Sequence, residues 1–186
     1  FSYTKSKSGK SSQRIATVLS PILHRNKTLT LQKKKVPSEI LDSLLDAGRL
    51  SPSVKNRQPW RFIAITDEEK KKLLRQACYG DPRCMQGALI AACYATTDYT
   101  MPNGFSANLF DLGLACGQIM LQAEESGLAA EALTSFSQAE AGRALTLPHG
   151  MYVIAIILLG YSADPEKSDT RLGRLPLERT TNYNSW

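Results

Sequence analysis

The chain has 186 residues, 42% of them hydrophobic and 22% charged, and a formal net charge of +6. That length and balance suit one globular domain with its own core, and exclude wholesale disorder, collagen-like repeats and a disulfide-stapled miniprotein. No apolar stretch approaches the ~20 residues of a membrane-spanning helix; Met151 to Gly160 reaches only half that length.

The charge is unevenly spread. Residues 1–35 hold nine Lys or Arg and no acid, whereas the other 151 residues hold fourteen basic and seventeen acidic side chains, a net −3. Clustered lysine attracts polyanions. No aromatic interleaving or groove-reading motif accompanies it, so the segment reads as a solvated arm plus a helix flank, with no specific nucleic-acid partner. The chain opens without the charged, apolar, small-residue order of a secretory signal, and its start at Phe1 rather than Met leads us to expect further residues upstream. Cys78, Cys84, Cys93 and Cys116 form no C-x-x-C pair, and His24 and His149 lie far from them in sequence. We therefore expect no metal site, and free thiols in a reducing, cytoplasmic compartment, with no membrane attachment.

Taken in chain order, residues 1–13 (FSYTKSKSGKSSQ) are polar and aperiodic and form the basic arm; residues 14–186 form the domain. Ile15, Val18, Leu19, Ile22 and Leu23 recur at helical spacing, with Pro21 placed to kink or shorten that helix. A basic loop, Asn26 to Lys35, precedes Pro37-Ser38, which opens a second helix carrying Ile40, Leu41, Leu44 and Leu45 on one face and ending near Arg49. Trp60 to Thr66 alternates as a strand does. Asp67 caps a short helix ending near Ala77, and after a loop at 80–87 the run Ala88 to Thr97 reads as a second strand. The spacing predicts a long helix from about Ser106 to Ser126, burying Leu109, Leu112, Gly113, Cys116, Gly117, Met120 and Ala123 and stopped by Gly127. Ala129 to Phe136 reads as a short strand or extended loop, Ser137-Gln-Ala-Glu140 as a capping box, and Met151 to Tyr161 as the most apolar strand. One sheet flanked by helices follows, a mixed α and β architecture.

The usual chemical motifs are absent: no G-x-G-x-x-G after a strand, no P-loop, no G-x-S-x-G and no H-E-x-x-H. A chain with neither a nucleophile nor a metal site of its own is a binding module or the holder of a cofactor that carries the chemistry. The stretch Leu50-Ser-Pro-Ser-Val-Lys-Asn-Arg-Gln-Pro-Trp-Arg-Phe62 sets hydroxyls, amides and Pro-fixed backbone between a helix and a buried strand. Such a loop serves either as an ordinary connection or as a set of hydrogen-bond partners for a planar polar heterocycle.

These residues resemble the signature loop of the nitroreductase-like, FMN-dependent oxidoreductases. Further segments are similar in the same order: Arg25-Asn-Lys ahead of Val36-Pro37, Asp111-Leu-Gly-Leu-Ala115 with Gly127-Leu128, Thr134-Ser-Phe-Ser, Leu147-Pro-His-Gly, Leu159-Gly-Tyr161 and Gly173-Arg-Leu-Pro-Leu-Glu178. The resemblance spans roughly residues 14–180. It implies an α+β fold with a central, mostly antiparallel sheet flanked by helices, and an intertwined homodimer with one FMN in each of two interface pockets. It further implies that Arg25 and Arg174, with Asn26, Lys27 and Arg171, hold the FMN phosphate, as a guanidinium fork suits phosphate oxygens. Pro52, Ser53, Val54 and Asn56 would reach the flavin edge from the partner subunit, Gln58 would act there or brace the loop, and Thr134 and Ser135 would offer backbone groups.

The activity implied is reduction of the flavin by NADH or NADPH and of a nitroaromatic, quinone or flavin acceptor in turn, with no catalytic side chain of the protein's own. The alternative is a dimeric binding or scaffold protein of the same fold without turnover. This sequence departs from the family pattern at Lys27, Leu29 and Leu172 in the phosphate segments. It also has Asp81, which accepts hydrogen bonds but cannot donate them, in the loop where an Asn often meets the flavin. Removal of residues 1–12 is expected to leave flavin content and reductase activity unchanged. Any polyanion binding lost with them should already be negligible near physiological salt, because counterion release makes it steeply salt-dependent. Sequence-selective nucleic-acid binding that persists in that salt and disappears with the arm would contradict this.

Overall fold

The computed structural model describes residues 18–23, 30–95, 99–164 and 174–185. The basic arm, Arg25, Asn26, Lys27, Leu29, Arg171 and Leu172 lie outside the described residues. The elements in order are α1 (Ser20–Leu23), α2 (Ser38–Arg49), β1 (Trp60–Ile65), α3 (Glu68–Ala77), β2 (Ala88–Ala95), α4 (Ala107–Glu125), β3 (Ala129–Leu133), α5 (Gln138–Ala144) and β4 (Met151–Gly160). The four strands form one sheet in the order β1-β2-β4-β3, with every neighbouring pair antiparallel. This is the α+β arrangement expected, with helices on both faces.

The central strands explain why both faces are covered. In β2, Ala88, Ile90 and Ala92 point to one side and Leu89, Ala91 and Cys93 to the other, and all six are buried. Residue alternation across a pleat makes such a continuous apolar run stable only between two layers. On the first face α2 and α4 supply Leu41, Leu44, Leu112, Ala115, Cys116 and Ile119. On the second, α3 and α5 supply Leu74, Ala77, Ala141 and Ala144. Fully buried side chains such as Leu44, Leu74 and Ile157 each contribute about 1.5–3 kcal/mol of transfer free energy.

Local signals set the element ends. The Asp67 carboxylate accepts from the Lys70 N–H and the Ser137 hydroxyl from the Glu140 N–H, so both predicted N-caps form. Gly127, at φ +72°, ends α4, with the Leu128 N–H donating back to the Ala123 carbonyl. Two expectations need correction. The first helix is only the four residues of α1 within the described segment, and Val18, Leu19 and Ile22 are exposed rather than core; Pro21 sits inside a turn too short to carry an apolar stripe. The buried face of α4 is rotated: Asn108, Asp111, Leu112, Ala115, Cys116, Ile119 and Ala123 are inside. Leu109, Phe110 and Leu114 are exposed, and a Cβ added at Gly113 or Gly117 would meet nothing. Reading only the apolar residues misplaced the face, because two polar ones belong to it.

Residues 30–35, the described part of the basic loop, also do more than connect. Leu31 bridges Ser162 and the Gln32 N–H donates to the Tyr161 carbonyl, so this strip continues the sheet beyond β4. Where it crosses, Gly87 adopts φ +58°, and a Cβ there would fall 1.9 Å from the Leu159 carbonyl oxygen. Backbone at that distance cannot move aside as a flexible side chain could. Gly87→Ala should therefore cost about 3 kcal/mol or more, through strain added to the clash. Denaturant unfolding measures this, and a loss below ~1 kcal/mol would show that the close approach relaxes freely.

Candidate functional site

The segment between α2 and β1 carries the concentration of unusual backbone. Lys55, Asn56 and Gln58 have φ of 54°, 55° and 51°, three left-handed non-glycine residues within four positions. Each costs of order 1 kcal/mol and persists only where its surroundings over-determine it. Those surroundings are visible. The Ser53 hydroxyl accepts from the Gln58 N–H at 3.0 Å, and the Gln58 amide donates to Asn56 Oδ1 at 3.1 Å. The Asn56 N–H donates to the Ser53 carbonyl, closing a 3-10 turn over Val54–Asn56. Ser53, Asn56 and Gln58 thus form one braced unit, and Gln58 is the brace.

A buried carboxylate fixes that unit to the body of the protein. Asp111 on α4 is fully buried, and its two oxygens lie 3.1 and 3.2 Å from the Val54 N–H. Its neighbour Asn108, also buried, donates to the Ala95 carbonyl. The loop's outer side is held by Tyr99, whose ring lies 4.6 Å from Lys55 Nζ and 5.2 Å from the Arg57 guanidinium carbon. Such cation–π contacts add modest stability at exposed positions. Pro52, Asn56 and Gln58 stay exposed and Ser53 and Val54 half-buried, so the loop presents rigid polar groups to solvent.

Thr134 and Ser135 are exposed just past the end of β3. The antiparallel order puts the start of β1 and the end of β3 toward the same end of the sheet, but on its two opposite edge strands. Three inter-strand spacings separate them, about 14 Å. One subunit therefore does not bring its loop and its Thr134–Ser135 together. Arg174 is exposed in an extended stretch ahead of a 3-10 turn at Leu177–Arg179.

Asp81, the acceptor noted in the loop where an Asn often meets the flavin, is engaged within the chain. Its carboxylate takes hydrogen bonds from Arg83 Nε and Nη2 and from the Arg83 N–H, and Arg83 Nη1 also donates to Glu131 on β3 at 2.8 Å. The side-chain hydrogen bonds from Arg83 hold the Asp81 carboxyl below its usual range. That contribution to stability is present above the ordinary Asp pKa and is lost as pH falls through the lowered one. All four cysteines are free and buried. Burial pushes the Cys93 and Cys116 thiols up to about 11, so neither is a nucleophile at neutral pH. Among the described residues there is no cluster of His, Cys, Asp or Glu fit to hold a metal ion, and no helix long and apolar enough to cross a membrane.

Sequence reasoning singled out the segment Asp111 to Ala115 without giving Asp111 a role, and it missed Tyr99 and the Arg83–Glu131 contact. Only Asp111 left a signal, as a lone acid in the apolar run Asn108 to Cys116. Asp111→Ala should destabilise the protein by about 1–3 kcal/mol, because the Val54 N–H loses its acceptor. Trypsin should then cut faster after Lys55 and Arg57 in the released loop. Asp111→Asn, which keeps an acceptor oxygen, should fall between the two. Unchanged stability and cleavage in Asp111→Ala would show that the loop holds itself.

Comparison with known proteins follows the same lines as the geometry. The family model described as Nitroreductase family matches residues 22–86, which contain the whole braced loop. A solved nitroreductase family protein from Clostridium difficile 630 superposes with a TM-score of 0.79 at 29% identity, over 89% of this chain and 97% of that one. The NADPH:FMN oxidoreductase of Vibrio harveyi shares the fold, with a TM-score of 0.77 at 19% identity over 89% of this chain and 76% of that one. A protein of Thermus thermophilus named NADH dehydrogenase is 24% identical over 84% of this chain and 91% of its own length. The chain thus has the fold of nitroreductase family proteins, and residues 22–86 resemble that family in sequence.

Proposed function

We propose that the protein is an FMN-dependent NAD(P)H oxidoreductase that works as a homodimer. The observation that carries this reading is the loop Ser51 to Pro59: strained, internally braced and tied to α4, yet open to solvent on its polar side. A surface connection gains nothing from three left-handed residues, whereas a fixed set of donors and acceptors suits a flat, polar ligand. The names of the Vibrio harveyi and Thermus thermophilus relatives point to the same cofactor and donor.

The residues fit such a cofactor. Arg25 and Arg174 would grip its phosphate, assisted by Asn26, Lys27 and Arg171. Pro52, Ser53, Val54 and Asn56 of one subunit would line a pocket completed by the backbone at Thr134 and Ser135 of the other. The separation of these two groups on opposite edge strands supports a shared pocket. So does the exposed apolar row Leu109, Phe110 and Leu114 on α4; Val18, Leu19 and Ile22 are exposed on or just ahead of α1, which packs against α4. An apolar surface of this kind is covered in most soluble proteins, here by a second copy.

When bound, FMN supplies two-electron transfer in two half-reactions, from NADH or NADPH at N5 and then to a nitroaromatic, quinone or flavin acceptor that takes the donor's place. The chain's own residues contribute binding and orientation. No side chain at the loop is placed to work as a general acid or base, since Asp111 is buried beneath it and occupied by Val54.

Purified protein should be a yellow dimer whose flavin is released by heat, two per dimer. Arg174→Ala should weaken FMN binding by roughly 10- to 100-fold, the worth of one charge-assisted phosphate contact, with turnover per bound flavin little changed. A colourless monomer that takes up no FMN on titration would overturn the proposal. Loss of turnover in Arg174→Ala with FMN still saturating would overturn the role given to that residue.

A further inference from the structure

A cleft of about 660 Å³ lies away from the signature loop, lined by Lys33, Lys34, Lys35, Val36, Thr66, Glu68, Lys71, Met85, Gly87 and Ala88. Thr66 follows the end of β1 and Ala88 begins β2, so the cleft sits at the opposite end of the sheet from Trp60 and the loop before it. The six residues of β1 separate the two places, about 17 Å. A volume of this size is that of a small-molecule site.

Its charge is the unusual feature. Four lysines and one glutamate line it, a net +3. Lys33 and Lys35 are exposed, and among the described residues no carboxylate pairs with either. Lys34 is turned aside, its Nζ 3.9 Å from the centre of the Tyr161 ring. Lys71 is the odd member, because its side chain is only 6% exposed. Its ammonium has three donors, and the partner the structure gives it is one carboxylate oxygen of Glu68, at 3.0 Å on the exposed first turn of α3. Burying an ammonium is costly unless its charge and its donors are met. A solvated lysine face would leave all four side chains in water; here one is held inside, with donors to spare, beside two unpaired ones.

We propose that this cleft binds a phosphorylated small molecule, its phosphate or pyrophosphate group held by Lys71, Lys33 and Lys35. Lysines from two separate parts of the chain line the one cleft, and Val36, Met85 and Ala88 give the organic part of the ligand an apolar wall. Gly87 contributes by geometry: its missing Cβ lets the start of β2 approach β4 and shapes one side of the cleft.

The test is calorimetric titration of the purified full chain with inorganic pyrophosphate and then with ADP, the visible flavin absorbance being followed in parallel. Saturable binding at one site per subunit, weakened by rising salt, is expected for both probes. Lys33→Ala/Lys35→Ala should weaken it by roughly tenfold, the loss of two exposed charge contacts. Lys71→Met should weaken it further, with unfolding midpoint checked first; the double variant decides the matter if Lys71→Met does not fold. Lys72→Ala, on the outer side of α3 and paired with Glu69, should bind as the parent does. Absence of saturable binding, or equal binding by the double variant, would overturn the proposal. So would release of flavin in proportion to pyrophosphate bound, which would place the anion at the flavin phosphate instead. A duplex oligonucleotide that binds more tightly than ADP through the same lysines would overturn it in favour of a nucleic-acid face.

Discussion

One buried carboxylate holds the functional region together. Asp111 projects from the N-terminal part of α4, out of contact with water, and turns both oxygens to the Val54 N–H. A charged group without an opposite charge beside it is expensive to bury, and a backbone donor is the least it requires. The pairing works in both directions. The helix gains a partner for a polar residue in its apolar face, and the loop gains an anchor beside its three left-handed residues Lys55, Asn56 and Gln58. Cooperative arrangement of this kind, in which the fold supports local strain, is a frequent mark of a functional site.

From that anchor the rest of the architecture follows outward. Because Asn108 and Asp111 must face the sheet, α4 turns Leu109, Phe110 and Leu114 away from it. Polar residues inside therefore dictate apolar residues outside, and the exposed row is the natural consequence. The same sheet carries the loop at one edge strand and Thr134–Ser135 at the other. A single subunit has the parts of a pocket at two corners, and a second subunit is what joins them in the proposed dimer.

Much of this was legible in the sequence, for physical reasons that can be named. The two interior strands announced themselves, because Ala88–Ala95 and Met151–Gly160 are apolar on both pleat faces. The caps at Asp67 and Ser137 and the stop at Gly127 were readable, since they depend on local chemistry alone. The signature loop was visible as residue types in a fixed order. Its strain was not, because Lys55 and Asn56 at positive φ depend on the Gln58 N–H bond to the Ser53 hydroxyl and on the Val54 N–H bond to Asp111 of a distant helix. The rotation of α4 was also hidden: periodicity counts apolar residues, and the decisive ones were Asn108 and Asp111. Likewise the contact of Arg83 with Glu131 joins residues far apart in the chain, and nothing in the spacing foretold it.

In the proposed function the rigid loop serves a redox flavin. The most direct measurement is an anaerobic titration of the purified protein with NADH and with NADPH, following its visible absorbance, and then adding a quinone. At least one donor should bleach the flavin at one equivalent per subunit, and the quinone should restore the colour without oxygen. Flavin that stays fully oxidised in excess of both donors would contradict it and leave the fold as a binding scaffold.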